Sequence, residues 1–301
     1  MPTYLSYKRS IKTYFLFYLL PFTLSFSCSG GTLHNPVKGH NSLSPKLSKN
    51  KPAPKDLRPV DPRDTLKGIY RIKDKVLPYT LMRFKEAETT EKMVFIVFLH
   101  GAGERGSNNS SQLTVGLPNL ISTLKKLGLK NFMVFAPQCP ISERWVDTDW
   151  SALSHSMQAI PHWPLNATLS ILDSIVESDS SIDNTRIYAT GLSMGGYGTW
   201  ELIQRRPRFF AAALPICGGG DKTLGDRLVF TPIWMFHGTA DKVVPVSRTK
   251  DMNAAINQAL GSNPSIAKMT LFENKGHLIW NQVYDNPEVI KWLLGQKKSL
   301  N

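Results

Sequence analysis

The sequence predicts an α/β fold, a mostly parallel sheet with helices on both faces. Two observations carry that prediction. Short, continuous apolar runs bounded by turn residues alternate along the chain with stretches of helical period. Strand–helix–strand crossovers of this kind build parallel sheets covered on both sides. Composition agrees: 301 residues, 42% hydrophobic, 20% charged and 10% aromatic supply enough apolar side chain to order a large domain. The same figures exclude a disordered chain, and three cysteines in this length exclude a disulfide scaffold.

The elements follow in order. Ile69–Ile72 and Leu77–Phe84 read as two short strands that open the sheet antiparallel. Met93–Leu99 is apolar at every position, as a strand buried on both faces requires, and it stops at His100-Gly101. Leu113–Leu127 has helical spacing, with Gly128 as its stop. Phe132–Ala136 is the next buried strand. Asn166–Glu177 is helical, with Leu169, Leu172, Ile175 and Val176 along one side. Arg186–Thr190 reads as a strand and Met194–Arg206 as a helix ended by Pro207. Ala211–Ile216 and Pro232–Phe236 are strands, Ser247–Leu260 a helix and Ala267–Phe272 a strand. Asn286–Gln296 closes the chain as a helix started by Pro287. No internal repeat interrupts this series.

The net charge of +13 is unevenly spread. Residues 1–75 hold 14 Lys and Arg against 4 Asp and Glu, whereas residues 76–301 hold 22 against 19. The basic character thus belongs to the N-terminal segment, no basic face is indicated on the domain, and no nucleic-acid partner is expected. Lys8, Arg9 and Lys12 precede an apolar run from Tyr14 to Phe26, the order of a secretory signal over residues 1–27. Ser25–Gly30 resembles a bacterial lipoprotein processing site with Cys28 as the lipidated residue, Leu24 standing one place early for the usual pattern. Ordinary cleavage after Ser27 or Ser29, or an uncleaved anchor, are the alternatives. Residues 28–65 are rich in Ser, Asn, Pro and Lys and read as a flexible tether, leaving 66–301 as the domain. The expected location is outside the cytoplasm, either membrane-anchored through Cys28 or periplasmic or extracellular.

Parallel α/β sheets place their chemistry at the carboxyl ends of the strands. The strand Arg186–Thr190 runs into Gly191-Leu192-Ser193-Met194-Gly195 and then a helix, a Gly-x-Ser-x-Gly nucleophile elbow. Ser193 must adopt a strained turn to lift its hydroxyl from the sheet, and side chains at Gly191 or Gly195 would collide there. The turn leaves the Met194 N–H at a helix N-terminus, where an oxyanion would form. Serine needs a base, and of seven histidines only His277 follows both the serine and a suitable acid. Asp241, just past the penultimate strand, fits the order Ser…Asp…His; Asp221 and Asp226, one strand earlier, fit less well. His100 and His237 each end a strand ahead of a glycine and read as loop-shaping residues. The second oxyanion donor is expected from the loop after Met93–Leu99, as the N–H of Ala102 or Gly101. Gly101-x-Gly103-x-x-Gly106 matches a dinucleotide pattern, but no helix is expected to open there and no acid follows at the right distance. No metal-ligand spacing is present, and no cofactor is implied.

These residues, with His100–Gly106, Pro137-Gln138-Cys139-Pro140, Tyr197-Gly198-Thr199-Trp200, Pro215–Gly219 and Phe236–Pro245, resemble the α/β-hydrolase superfamily. The nearest branch is the bacterial phospholipase/carboxylesterase and dienelactone-hydrolase-like esterases, also described as prolyl-oligopeptidase-family serine hydrolases. The resemblance spans about residues 66–301. It implies an α/β-hydrolase fold with eight strands in the order 1-2-4-3-5-6-7-8. On that order Cys139 and Cys217 sit three strands apart, roughly 14 Å, beyond the reach of a disulfide.

The expected activity is cleavage of carboxylic esters with short or aromatic acyl groups, on a small molecule or a polysaccharide. The rivals are a serine peptidase of the prolyl-oligopeptidase type and a catalytically dead binding protein. Such a peptidase is expected to carry a gating propeller ahead of its hydrolase domain, where a tether is read here. A lipase is expected to carry a large apolar lid, whereas 218–231 is short and polar. Trp145, Trp150 and Trp163, in the long segment 140–165, are candidates to stack on a sugar ring or aromatic acyl group. The alternative is that they pack that segment onto the domain.

Overall fold

The computed structural model describes residues 65–86, 89–262 and 266–299. The expected signal segment, Cys28 and the tether up to residue 64 lie outside the described residues. The elements are β1 (Thr65–Ile72), β2 (Lys75–Phe84), β3 (Met93–Leu99), α1 (Leu117–Lys126), β4 (Phe132–Pro137), α2 (Trp163–Ser178), β5 (Ile182–Leu192), α3 (Met194–Arg205), β6 (Ala212–Ile216), β7 (Ile233–Gly238), α4 (Ser247–Leu260), β8 (Ala267–Phe272), α5 (Trp280–Tyr284) and α6 (Pro287–Gly295). They form one eight-stranded sheet in the order β1-β2-β4-β3-β5-β6-β7-β8. β2 runs antiparallel to β1 and β4, and the remaining pairs are parallel. This is the α/β-hydrolase architecture, with the strand order expected.

The apolar run of β3 shows why the sheet needs two helical layers. Phe95, Val97 and Leu99 enter one core with residues of α2, α3 and α4. Val94, Ile96 and Phe98 enter the other with residues of α1, α5 and α6. Successive side chains point to opposite faces, so an unbroken apolar strand must be covered twice. Cys139 and Cys217 are both free and buried, as the strand order required.

Several boundaries differ from expectation. The first helix begins at Leu117 rather than Leu113: Gly116 turns the chain at φ +72° and Pro118 occupies the first turn, while Ser111–Leu113 forms a separate 3₁₀ turn. α2 begins at Trp163 rather than Asn166, with Pro164 in its first turn, so Trp163 belongs to a helix and not to the preceding loop. A 3₁₀ turn does open at Ala102–Glu104, where no helix was expected, but it lasts three residues. α5 and the 3₁₀ segment Lys222–Leu228 were not anticipated, being too short to show a period.

Candidate active site

β5 delivers the chain into Ser193, and α3 starts at the next residue. Ser193 holds φ +55° and ψ −119°, outside the ordinary regions for a side-chain-bearing residue. Such a conformation costs of order 1–3 kcal/mol and persists only where the surroundings impose it. Here the Ser193 N–H donates to Ile216 O on β6 (2.9 Å), and its carbonyl accepts from Tyr197 N–H (3.2 Å). The flanking glycines are obligatory. A Cβ on Gly191 would fall 2.4 Å from Gly195 O, and one on Gly195 would fall 1.9 Å from Leu99 O.

Two further loops meet this turn. The loop after β7 carries Asp241 and the loop after β8 carries His277. Gly238 lets them touch, since a Cβ there would lie 2.2 Å from Gly276 O. Ala240 N–H donates to Lys275 O (2.9 Å), and Asn274 N–H donates to Thr239 Oγ1 (2.8 Å), stitching the loops together. His277 Nδ1 then lies 2.7 Å from Asp241 Oδ2, and its Nε2 lies 2.8 Å from Ser193 Oγ. A carboxylate only accepts, so Nδ1 carries the hydrogen and Nε2 accepts from the serine hydroxyl. The Asp241 side chain is fully buried and that of His277 is 12% exposed.

Asp241 is well supplied with donors. Its Oδ1 accepts from Val243 N–H (2.8 Å) and Val244 N–H (3.0 Å). Burial works to raise its pKa. Hydrogen bonds from His237, His277 and the two backbone N–H groups outweigh burial and hold the carboxyl well below the usual carboxylate range. The competing acids are elsewhere: Asp221 spends its carboxylate on Thr223 N–H, the Thr223 hydroxyl and Met157 N–H, and Asp226 is exposed.

Around Ser193, Met194 is the first residue of α3, where N–H groups have no partner within the helix. Gly101 and Ala102 follow β3 at the start of the 3₁₀ turn. Burial raises the pKa of Glu104, against hydrogen bonds to its carboxylate from the backbone of Gly101 and of Glu104 itself. Gly101 and Ala102 N–H both stand at this turn, on the side of the sheet where Ser193 sits. His100 shapes the same loop: Nδ1 meets Gly101 O (2.6 Å) and Nε2 accepts from Cys139 N–H (2.9 Å). Burial pushes its pKa down to about 4, so it stays neutral.

A family model described as the dienelactone hydrolase family matches residues 114–285, more than half the chain and all three of Ser193, Asp241 and His277. The chain belongs to the dienelactone hydrolase family. Among solved structures it is similar to a thermostable esterase, at 33% identity and TM-score 0.68, over 78% of this chain and 64% of that one. It is also similar to a Pyrococcus horikoshii acylaminoacyl peptidase (13% identity, TM-score 0.56, 80% of this chain and 43% of that one). A ferulic acid esterase aligns at 14% identity and TM-score 0.55, over 77% and 98% of the two chains. The latter two share the fold. The chain thus spans less than two thirds of the thermostable esterase and under half of the peptidase. No curated protein matches the sequence.

Of the three tryptophans, Trp145 requires correction. Trp145 is fully buried, donates its indole N–H to His100 O (3.1 Å) and packs in the core beside α3, out of reach of any substrate. Trp150 is half-buried, with the Arg105 and Arg144 guanidinium groups 5.6 and 4.8 Å from its ring centre. Trp163 has Lys75 Nζ 5.2 Å from its ring and lines a cavity of about 470 Å³ with His162 and Glu201. None of Ser193, Asp241 and His277 lines that cavity. Trp145 lies within the core and Trp150 and Trp163 pack against its edge; residue type alone does not reveal which way a side chain faces.

Two neighbours of the site carry no sequence signal that places them beside Asp241. Cys217 Sγ and side-chain atoms of Asp241 and His277 lie within 4.8 Å of one another, from three separate loops. The thiol stays protonated, because burial and then the Asp241 charge push its pKa well up. His237 reaches Asp241 as well; the sequence marks it as a loop-shaping residue at a strand end but not as a neighbour of the acid.

Proposed function

We propose that this chain hydrolyses carboxylic esters through an acyl-enzyme on Ser193. The observation that carries this reading is the continuous hydrogen-bond chain Ser193–His277–Asp241. His277 Nε2 takes the hydroxyl proton as Ser193 Oγ attacks the ester carbonyl. Asp241 fixes the imidazole tautomer and stabilises the imidazolium that forms. The N–H groups of Met194 and Ala102 receive the oxyanion. His277 gives its proton to the leaving alcohol, and water, activated by the same nitrogen, then releases the acid. Proton and charge return to their starting places, so the cycle needs no cofactor.

The substrate class we propose is an ester with a short or aromatic acyl group. Val243, within the acid loop, and Leu278, next in sequence to His277, are 45% and 74% exposed. They give the rim of the site an apolar surface on which such a group can lie, and attachment to a polysaccharide remains part of the proposal. Ser193→Ala should leave a folded protein whose turnover of p-nitrophenyl acetate falls roughly 10⁴-fold or more. Undiminished turnover in that variant would refute the nucleophile. Wild-type protein that resists a fluorophosphonate label and turns over none of acetyl-sugar, feruloyl, short and long p-nitrophenyl esters would instead support the binding-protein rival.

A further inference from the structure

We infer that His237 is a positioning residue for Asp241, clamping the acid and its turn from the side opposite His277. The inference rests on the reading of Ser193, His277 and Asp241 as the reacting machinery. His237 is the penultimate residue of β7 and is fully buried. Its Nε2 lies 3.0 Å from Val244 O and 3.1 Å from Asp241 Oδ2. Both atoms are acceptors, so Nε2 carries a hydrogen, aligned on Val244 O and shared with the carboxylate. Its Nδ1 is held by Thr249 Oγ1 of α4 at 2.7 Å, and that hydroxyl also lies 3.2 Å from Gly218 O.

The Val244 backbone is therefore held on both sides. Its N–H donates to Asp241 Oδ1 and its carbonyl accepts from His237. Asp241 Oδ2 stands between two imidazoles, His277 at 2.7 Å and His237 at 3.1 Å. An acceptor shared between two donors gives less to each. His237 thus restrains the carboxylate and draws off part of the negative charge that would otherwise act on His277. Among the described residues, the Cys217 thiol after β6 also faces the Asp241 carboxylate, and the Tyr197 hydroxyl of α3 feels its charge. Arg248, beside Thr249 on α4, turns instead to Gly220 O (3.2 Å) and to His155.

A residue that merely filled space would affect stability and nothing else. A positioning role predicts a kinetic signature. His237→Leu removes the donor, so Asp241 holds the His277 imidazolium more strongly. The acidic limb of kcat/KM moves to higher pH, and kcat falls about tenfold or more, the size expected for one hydrogen bond to a charged group. His237→Gln, which returns an N–H near the Nε2 position, recovers most of kcat and moves the limb back. The measurement is a pH profile on p-nitrophenyl acetate for wild type, both variants and Ser193→Ala, with folding checked by circular dichroism. If His237→Leu does not fold, Thr249→Val, which frees the other ring nitrogen, must shift the limb in the same direction. An unmoved limb in a folded His237→Leu or Thr249→Val protein overturns the inference. Turnover surviving in Ser193→Ala overturns the mechanism beneath it, and the two failures are distinct.

Discussion

Asp241 shows how much a single residue depends on what surrounds it. A carboxylate buried without partners would rise in pKa and lose its charge; four donors reverse that and keep it ionised. Asp241→Asn keeps the shape but offers His277 an amide, which favours the wrong imidazole tautomer. A kcat loss of roughly 10⁴ is expected, and near-normal turnover would move the role to another acid. The same shift has a stability consequence. Because the folded-state pKa is depressed, the contribution of Asp241 is full above the ordinary carboxylate value of about 3.9 and is lost as pH falls below it. The Tm difference between wild type and Asp241→Asn should narrow as pH is lowered from about 5 to about 3. A difference that stays constant or widens would show that the charge is not what stabilises the loop.

At the scale of elements, the elbow is a packing problem solved by missing side chains. β5, β3 and α3 come so close that Gly195 faces the carbonyl of Leu99, the last residue of β3. The neighbouring atom is backbone in a fully buried strand, so it cannot step aside. Gly195→Ala should therefore abolish ester turnover and lower Tm by several degrees, as calorimetry and a p-nitrophenyl assay would show; unchanged values for both would mean that the turn is looser than its geometry. The glycines and the strand–turn–helix context were readable in the sequence, because local sterics alone demand them. Helix starts were less so. Periodicity marks the middle of α1 and α2, but Gly116 and Pro164 set where they begin.

Across the whole molecule, charge and chain order carry different information. Lys8, Arg9 and Lys12 ahead of the apolar run from Tyr14 to Phe26, and the pattern around Cys28, lead us to propose export and lipid anchoring. Full-length protein made in a bacterial host should partition with membranes and carry lipid on Cys28, and Cys28→Ser should release it. A soluble mature protein beginning elsewhere would refute the anchor. The sequence by itself determined the fold class, the two-sided burial of strands such as β3, the elbow at Ser193 and the order Ser…Asp…His. Each of these is a local pattern or a matter of chain order, and local sterics and periodicity act between near neighbours. Chain order favoured Asp241 over Asp221, but only the tertiary structure brings it against His277, since that contact depends on Gly238 letting two distant loops touch. It also decided that Trp145 is core and that Trp150 and Trp163 lie against cationic side chains. Finally, it brought His237 and Cys217 to the acid from the ends of separate strands. A loop carries no period to say where its side chains point, and the neighbours of a buried group come from whichever strands the sheet order sets beside it.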